Sequence, residues 1–480
     1  MKSIGLVAWH ELLVLWRSRM AAIALSVVVL LSSVSAAVGW ERARVADETR
    51  ARLQAQADVE FDAQPNRHPH RMVHYGHFAF RPLDPLAAFD PGIDAFAGSV
   101  IYLEGHRQNS ANFADVRQSS LLLRFGQLTP AFVLQTLLPL LLIVLGAGII
   151  ARERERGSLR LVLSSGVSPR QLLVGKTLAL LAAGVVATAP AVIALGILAA
   201  GAAFEPWLAM VAGYCVYLLI WTLAVVLVSA IAKTSSAALR FLLGAWAVLI
   251  VMLPRLAPEV AALNAPVPAR FETEFAVQRE LRSTGDSHDE NDPYFAAFKQ
   301  KTLDRYGVTR VEDLPVNYKG LLAVEGERMT SELFDRHAAR TFGILERQAR
   351  TLDAFSALSP LPAIRRLSMA AAQTDLGAHR RFVEQAERYR YEFVQKLNQL
   401  QADAVTFADD TGRSKDAELD RRTRIDSKHW QAIPDFHYVA EKPAETFRRT
   451  LPALAMLFAW AIALMVGLSL VWRRTARSGL

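Results

Sequence analysis

The chain alternates between long uncharged stretches and long polar ones. Met20–Trp40, Pro130–Ala151, Leu178–Phe204, Trp207–Ala232 and Leu451–Trp472 each run about 20 residues or more without Asp, Glu, Lys or Arg, which is enough to cross a hydrocarbon core of about 30 Å as a helix. Ala237–Pro254 is a sixth such stretch, with Arg240 near one end, where a long side chain can snorkel to the headgroups. The pattern predicts an all-α polytopic membrane protein with six transmembrane helices, which puts both termini on one side. The first span is longer than the apolar region of a removable signal peptide and is expected to stay in the mature chain.

Ahead of the first span, "GLVAWHELLVLWRSR" places Leu6, Trp9, Leu13 and Trp16 at helical spacing. This reads as an amphipathic helix lying in the membrane interface, or as an upstream extension of the span interrupted by His10 and Glu11. The layout that follows is an interfacial helix over 1–19, a first span over 20–40 and a first outer insertion over 41–129. A four-span block over 130–262 comes next, then a second outer insertion over 263–448, and a last span with a basic tail over 449–480. The first insertion opens with "ERARVADETRARLQAQADVE", rich in helix formers, which extends the first span beyond the bilayer. Pro82, Pro85 and Pro91 then predict loop with short extended pieces. The second insertion is largely helical. Phe334, Ala338, Phe342, Leu345, Ala349 and Leu352 form one helical stripe, and Phe382, Ala386, Tyr389, Phe393, Leu397, Leu400, Ala404 and Phe407 form another. Pro360 and Pro362 lie between the stripes, so an antiparallel hairpin is the simplest arrangement.

Basic residues set the orientation. Lys2, Arg17 and Arg19, the loop after the second span, Lys233 and Arg240, and Arg473, Arg474 and Arg477 all fall on one face, which the positive-inside rule makes cytoplasmic. Those flanks account for much of the net charge of +8, so nucleic acid is not an expected partner. Cys215 is the single cysteine and lies within a span, so the outer segments must fold without an internal disulfide.

The loop between the second and third spans, Arg152–Lys176, is longer than a connection requires. "RERERG" alternates charge and ends at Gly157, a natural helix stop. Leu159, Leu161 and Leu163 follow in a short amphipathic segment, and Ser168 and Pro169 read as the N-cap and first position of the next helix. One reading is a short surface helix that another protein grips, and the alternative is a solvated positive-inside loop. Arg152-Glu153-Arg154-Glu155-x-Gly157-Ser158-Leu159, with Leu161–Ser164, Ser168-Pro169-Arg170 and Gly175-Lys176, resembles the signature of permease subunits of type-2 ABC transporters. Ser158 stands where Thr is usual, and Gly166-Val167 where a Pro-Val step is common. The resemblance implies that Arg152, Glu153, Arg154, Glu155, Gly157, Ser158, Leu159, Ser168, Pro169, Arg170 and Lys176 couple to a separate ABC ATPase. It also implies a second permease copy or a sister permease, a bacterial inner membrane location and export. The large outer insertions resemble a branch loosely grouped with the permease of the nitrous oxide reductase copper-maturation transporter, and a periplasmic protein partner fits that grouping.

"VGKT" at 174–177 invites a phosphate-loop reading, but Arg170 stands where the first glycine belongs and no strand precedes it. The chain is therefore not expected to be an enzyme: ATP and Mg would bind the partner ATPase, and no cofactor is expected on this chain. Serine pairs such as Ser119-Ser120 lack a nucleophile-elbow context. On the outer side, His68, His70, His74 and His77 fall within ten residues, and His106 follows. Hydrogen bonding and packing, a metal site suited to copper, zinc or nickel, and proton-linked gating are three open uses of this cluster. Asp375 precedes His379 at helical spacing and reads as a helix cap.

Overall fold

The computed structural model describes residues 2–109, 111, 127–285 and 292–477; Ser119 and Ser120 lie outside the described residues. The described chain is nearly all-α, and six helices are long and apolar enough to cross a membrane.

Helix α1 (Lys2–Arg17) ends just before Ser18, whose hydroxyl caps α2 (Arg19–Asp62). The 44 residues of α2 form one continuous helix. At 1.5 Å per residue it is about 66 Å long, roughly twice the hydrocarbon core, so its second half stands outside the bilayer. The remaining spans are α4 (Pro130–Glu155), α6 (Pro169–Leu198), α7 (Phe204–Ile231), α8 (Ser235–Asn264) and α16 (Pro443–Arg477), with α5 (Ser158–Ser164) between α4 and α6.

Prolines lie within the spans without ending them. In α4, Pro139 supplies no N–H, the helix widens to π geometry over Val133–Leu137, and Tyr217 on α7 donates its hydroxyl to the Gln135 carbonyl at 2.7 Å. The same device carries α8 past Pro254, where the apolar pattern predicts an end. Ala247–Met252 is π-helical, Ser359 donates to the Leu249 carbonyl at 3.0 Å, and the helix continues to Asn264.

The outer insertions fold together as one body. In the first, α3 (Pro69–Tyr75) precedes β1 (His77–Phe80), which pairs antiparallel with β2 (Val100–Leu103) in register His77 to Leu103. The second insertion contributes α9 (Arg270–Thr284), α10 (Pro293–Tyr306), α11 (Tyr318–Ala354), α12 (Pro360–Ala371), α13 (Leu376–Ala404), α14 (Phe407–Gly412) and α15 (Ala417–Arg422). Helices α11 and α13 run antiparallel: Gln395 bonds the Val324 carbonyl, Asn317 the Ala402 carbonyl, and Arg380 pairs with Glu346. Helix α13 is the centre of the body. Its Phe393, Val394 and Leu397 pack with Phe61, Met72 and Val73 of the first insertion, and Phe382 and Ala386 pack with Ala79, Ile101 and Leu103.

Helix α12, between the two stripes, joins the outer body to the membrane core. Leu361, Ile364 and Leu367 share one buried cluster with residues of the spans, and Trp460 of α16 donates to the Ser356 carbonyl just before α12. A polar chain crosses the same junction. Gln135 donates to Tyr214 at 2.8 Å, and Tyr214 meets Ser368 of α12 at 3.0 Å. Asp90, from the first insertion, lies beside Ser368 and Gln135 at this junction, and burial raises its pKa.

Candidate functional site

The loop after the second span is an anchored base carrying an outward helix. Gly157 at φ 75° and Gly166 at φ 90° take the left-handed conformation on either side of α5, which lets the chain reverse within a few residues. Ser168 then opens α6 with a full capping box: its hydroxyl accepts from the Gln171 amide, and the Gln171 side chain accepts from the Ser168 amide.

Three of the four charged residues of the "RERE" run each tie to a different helix. Glu153 lies 2.5 Å from Lys176 of α6, whose amine is also 2.5 Å from Glu11 of α1. Arg154 donates to the Ala230 and Ala232 carbonyls at the end of α7, at 2.6 and 2.5 Å. That places a cation where the helix presents its negative end. Glu155 accepts the Ser235 amide at 3.1 Å, at the start of α8. Behind them, the Ser229 hydroxyl accepts from the Ile150 and Ala151 amides.

These contacts divide the residues expected to couple to a partner. Lys176 is 2% exposed and its amine is engaged by two carboxylates, so it contacts no partner directly, and the phosphate-loop use of Gly175-Lys176 is closed as well. Glu153 and Arg154 are partly buried and turn inward. Ser158, Leu159 and Pro169 are half-buried, with Leu159 and Leu163 facing an apolar cleft lined by Leu172, Leu173 and Val471. Arg152, Glu155, Gly157, Ser168 and Arg170 remain exposed, Arg170 lying over the Trp472 ring at 5.3 Å. Leu161, 72% exposed, and Arg160 form the outward face of α5. Glu11 completes the base. The signal for it was the charge that interrupts the apolar stripe of α1.

The structure sends the five outer histidines to three environments. His68 is fully buried and 3.2 Å from Asp410, which also accepts from Asn317 and Gln401. Burial alone would raise the Asp410 pKa, but the bonds from His68, Gln401 and Asn317 outweigh it and hold the carboxyl well below the usual range. His77 stacks on Phe61 at 4.7 Å and faces Asp58 at 3.3 Å and Asp435 at 4.0 Å. Only His70, His74 and His106 come together, with one ring nitrogen of each within 4.8 Å of the others. Burial, reinforced by the neighbouring histidines, pushes the His70 pKa down to about 3. Beneath His106 lies an ion cluster with no sequence signature: Arg390, 1% exposed, meets Glu327 at 2.5 Å, Glu387 at 2.6 Å and Ser331 at 2.7 Å. Asp375 caps α13 through the Ala378 amide.

Six helices long and apolar enough to cross a bilayer define a multi-pass membrane protein. The comparison with protein families agrees. Residues 108–265, which hold the second to fifth spans and the loop between α4 and α6, match the model described as ABC-2 family transporter protein, and this part of the chain is similar to a type-2 ABC transporter permease, a class that works with an ABC ATPase subunit. Residues 270–439 match a domain of unknown function, DUF3526. No curated protein matched the chain. The likeness to the copper-maturation permease stands on the quoted residues alone.

Proposed function

We propose that this chain is the transmembrane subunit through which a separate ATPase drives a conformational change across a bacterial inner membrane, with both termini cytoplasmic and two permease chains per transporter. The observation that carries the reading is the division of the loop: its base is bonded to α1, α6, α7 and α8, while Leu161 and Arg160 face away from the bundle. A push on α5 would reach four helices through short polar contacts. In this reading ATP and Mg bind the ATPase, and the permease chain supplies no catalytic group. Export is the direction that goes with the family resemblance.

A second reading, mechanotransmission to a periplasmic partner with no cargo crossing, is favoured by one observation. The single helix α2 runs from the interfacial helix to the outer body, and its far end packs Phe61 against α13. Motion at the cytoplasmic face is then available to the outer body as rigid displacement.

Co-purification of the ATPase tests the first statement. Leu161→Asp and a Gly-Ser replacement of residues 158–170 are expected to lose the ATPase while the permease stays folded; retention by both variants would overturn the docking role. Spin labels at Ala55 of paired permeases test the second reading. A nucleotide-dependent change in their distance supports mechanotransmission, and an unchanged distance during turnover rules it out.

A further inference from the structure

We infer that His70, His74 and His106 form a binding site for a divalent transition-metal ion of the zinc class, oriented by Glu327. This goes beyond the permease reading and does not depend on it.

The three ligands reach the site by different routes. His70 and His74 lie four residues apart on α3, so both rings project from one face of the helix. Their Nε2 atoms are 3.2 Å apart. Two nitrogens on a tetrahedral zinc with bonds of about 2.0–2.1 Å are separated by about 3.3 Å, so this pair already has the spacing of two ligands on one ion. His106 comes from the turn after β2, with ring centroids 5.7 Å from His70 and 5.4 Å from His74. A ring nitrogen of each of the three already lies within 4.8 Å of the others, so a small shift of the His106 ring brings it to the same spacing.

The strongest feature is how His106 is held. Its backbone sits at φ 63°, a left-handed conformation uncommon for a residue with a side chain. Two contacts hold it there, both to one oxygen of Glu327: the backbone amide donates at 3.2 Å, and Nδ1 lies at 3.3 Å. A proton on Nδ1 facing that carboxylate leaves the Nε2 lone pair available to a metal ion, and His106 Nε2 is a buried atom with no hydrogen-bond partner. This is the carboxylate–histidine arrangement that fixes tautomer and ring direction in metal sites. Glu327 is in turn clamped by Arg390, so the carboxylate is a rigid support rather than a ligand.

The donor set selects the ion. Three imidazoles, with no thiolate or carboxylate in the ligand group among the described residues, suit Zn2+ and its neighbours, and disfavour Ca2+ and Mg2+, which prefer oxygen. Exposed His74 leaves one side of the site open to solvent, so the fourth position is available to water or to a donor from a partner protein. Because His106 rests on Glu327 of α11, occupancy would tie the first insertion to the second.

The test is titration of the full chain, solubilised and stripped with a chelator, with Zn2+ by calorimetry and with Co2+ as a visible-absorption reporter of tetrahedral geometry. One equivalent per chain is expected. His74→Ala, at an exposed position, should weaken Zn2+ at least tenfold, as should His106→Ala, while His437→Ala, elsewhere on the exposed surface, should leave it unchanged. The site is refuted if the wild type takes up no ion, or if His74→Ala and His106→Ala bind as tightly as the wild type. The titration needs no ATPase, so its failure would leave the permease reading standing.

Discussion

Gly175 of α6 and Val7 of α1 touch so closely that a Cβ on Gly175 would lie 2.7 Å from the Val7 side chain and 3.0 Å from the Ile4 carbonyl oxygen. Helix α1 is therefore seated on α6 by a missing side chain, one position before the lysine that binds both Glu11 and Glu153.

Gly175→Ala should lift α1 from this seat. Overpacking of this kind costs about 1–3 kcal/mol, and Val7→Ala in the same chain should recover most of it because the clash is local. Thermal unfolding in detergent measures both effects. A single variant as stable as the wild type would show that α1 is held by the lipid interface and not by α6.

Lys176→Met should be more damaging than its position in a loop motif suggests. It removes the one cation between two partly or fully buried carboxylates. Breaking a buried pair from one side costs about 3–5 kcal/mol, whereas replacing all members with apolar groups is often close to neutral. The triple variant Lys176→Met/Glu11→Leu/Glu153→Leu should therefore recover stability while losing the link between the loop and α1. Equal melting of the single and triple variants would mean that the carboxylates reach water.

Asp410 predicts a specific acid sensitivity for the outer body. Its folded-state pKa lies below the ordinary value of 3.8, so the stabilisation from its bonds is fully present above that value. It is lost as pH falls from about 4 toward the lower folded pKa, because the unfolded chain takes up the proton first. Asp410→Asn should unfold more readily at neutral pH and show a smaller further loss below pH about 4 than the wild type. Tryptophan fluorescence reports it, since Trp430 is buried in the neighbouring cluster. Parallel acid curves for the two proteins would remove Asp410 from the account.

What the sequence made legible was local. A run of uncharged residues, a stripe at helical spacing, or Ser168 before Pro169 is set by neighbours within a turn or two, and the structure has helices and a cap at those places. The continuation of α8 beyond Pro254 was not legible, because the group that relieves the proline is Ser359, on a distant element. The histidines show the same limit. Spacing of four places His70 and His74 on one helix face, but nothing in the spacing separates His68, which turns to Asp410, from His106, which is brought in by β2 and held by Glu327. The residues of the loop motif form one run in the sequence. Their division into inward and outward members depends on where α1, α7 and α8 lie, which is set by packing over long sequence separations.

The glycines at the ends of α5 allow backbone conformation to be separated from packing. A Cβ on Gly157 or Gly166 would meet nothing within 4 Å, so any cost of substitution lies in the positive φ alone. Alanine at either position should cost about 1 kcal/mol, and asparagine, which tolerates the left-handed region better, clearly less. Hydrogen exchange over Ser158–Ser164 is the direct measurement: faster exchange in Gly157→Ala than in Gly157→Asn is expected, with little change in α6, whose own cap at Ser168 is independent of Gly157. If alanine and asparagine exchange alike, the reversal at Gly157 is not what holds α5 in place. Its position would then depend on Leu159 and Leu163 in the cleft against α6 and Val471, and truncating those leucines would become the decisive experiment.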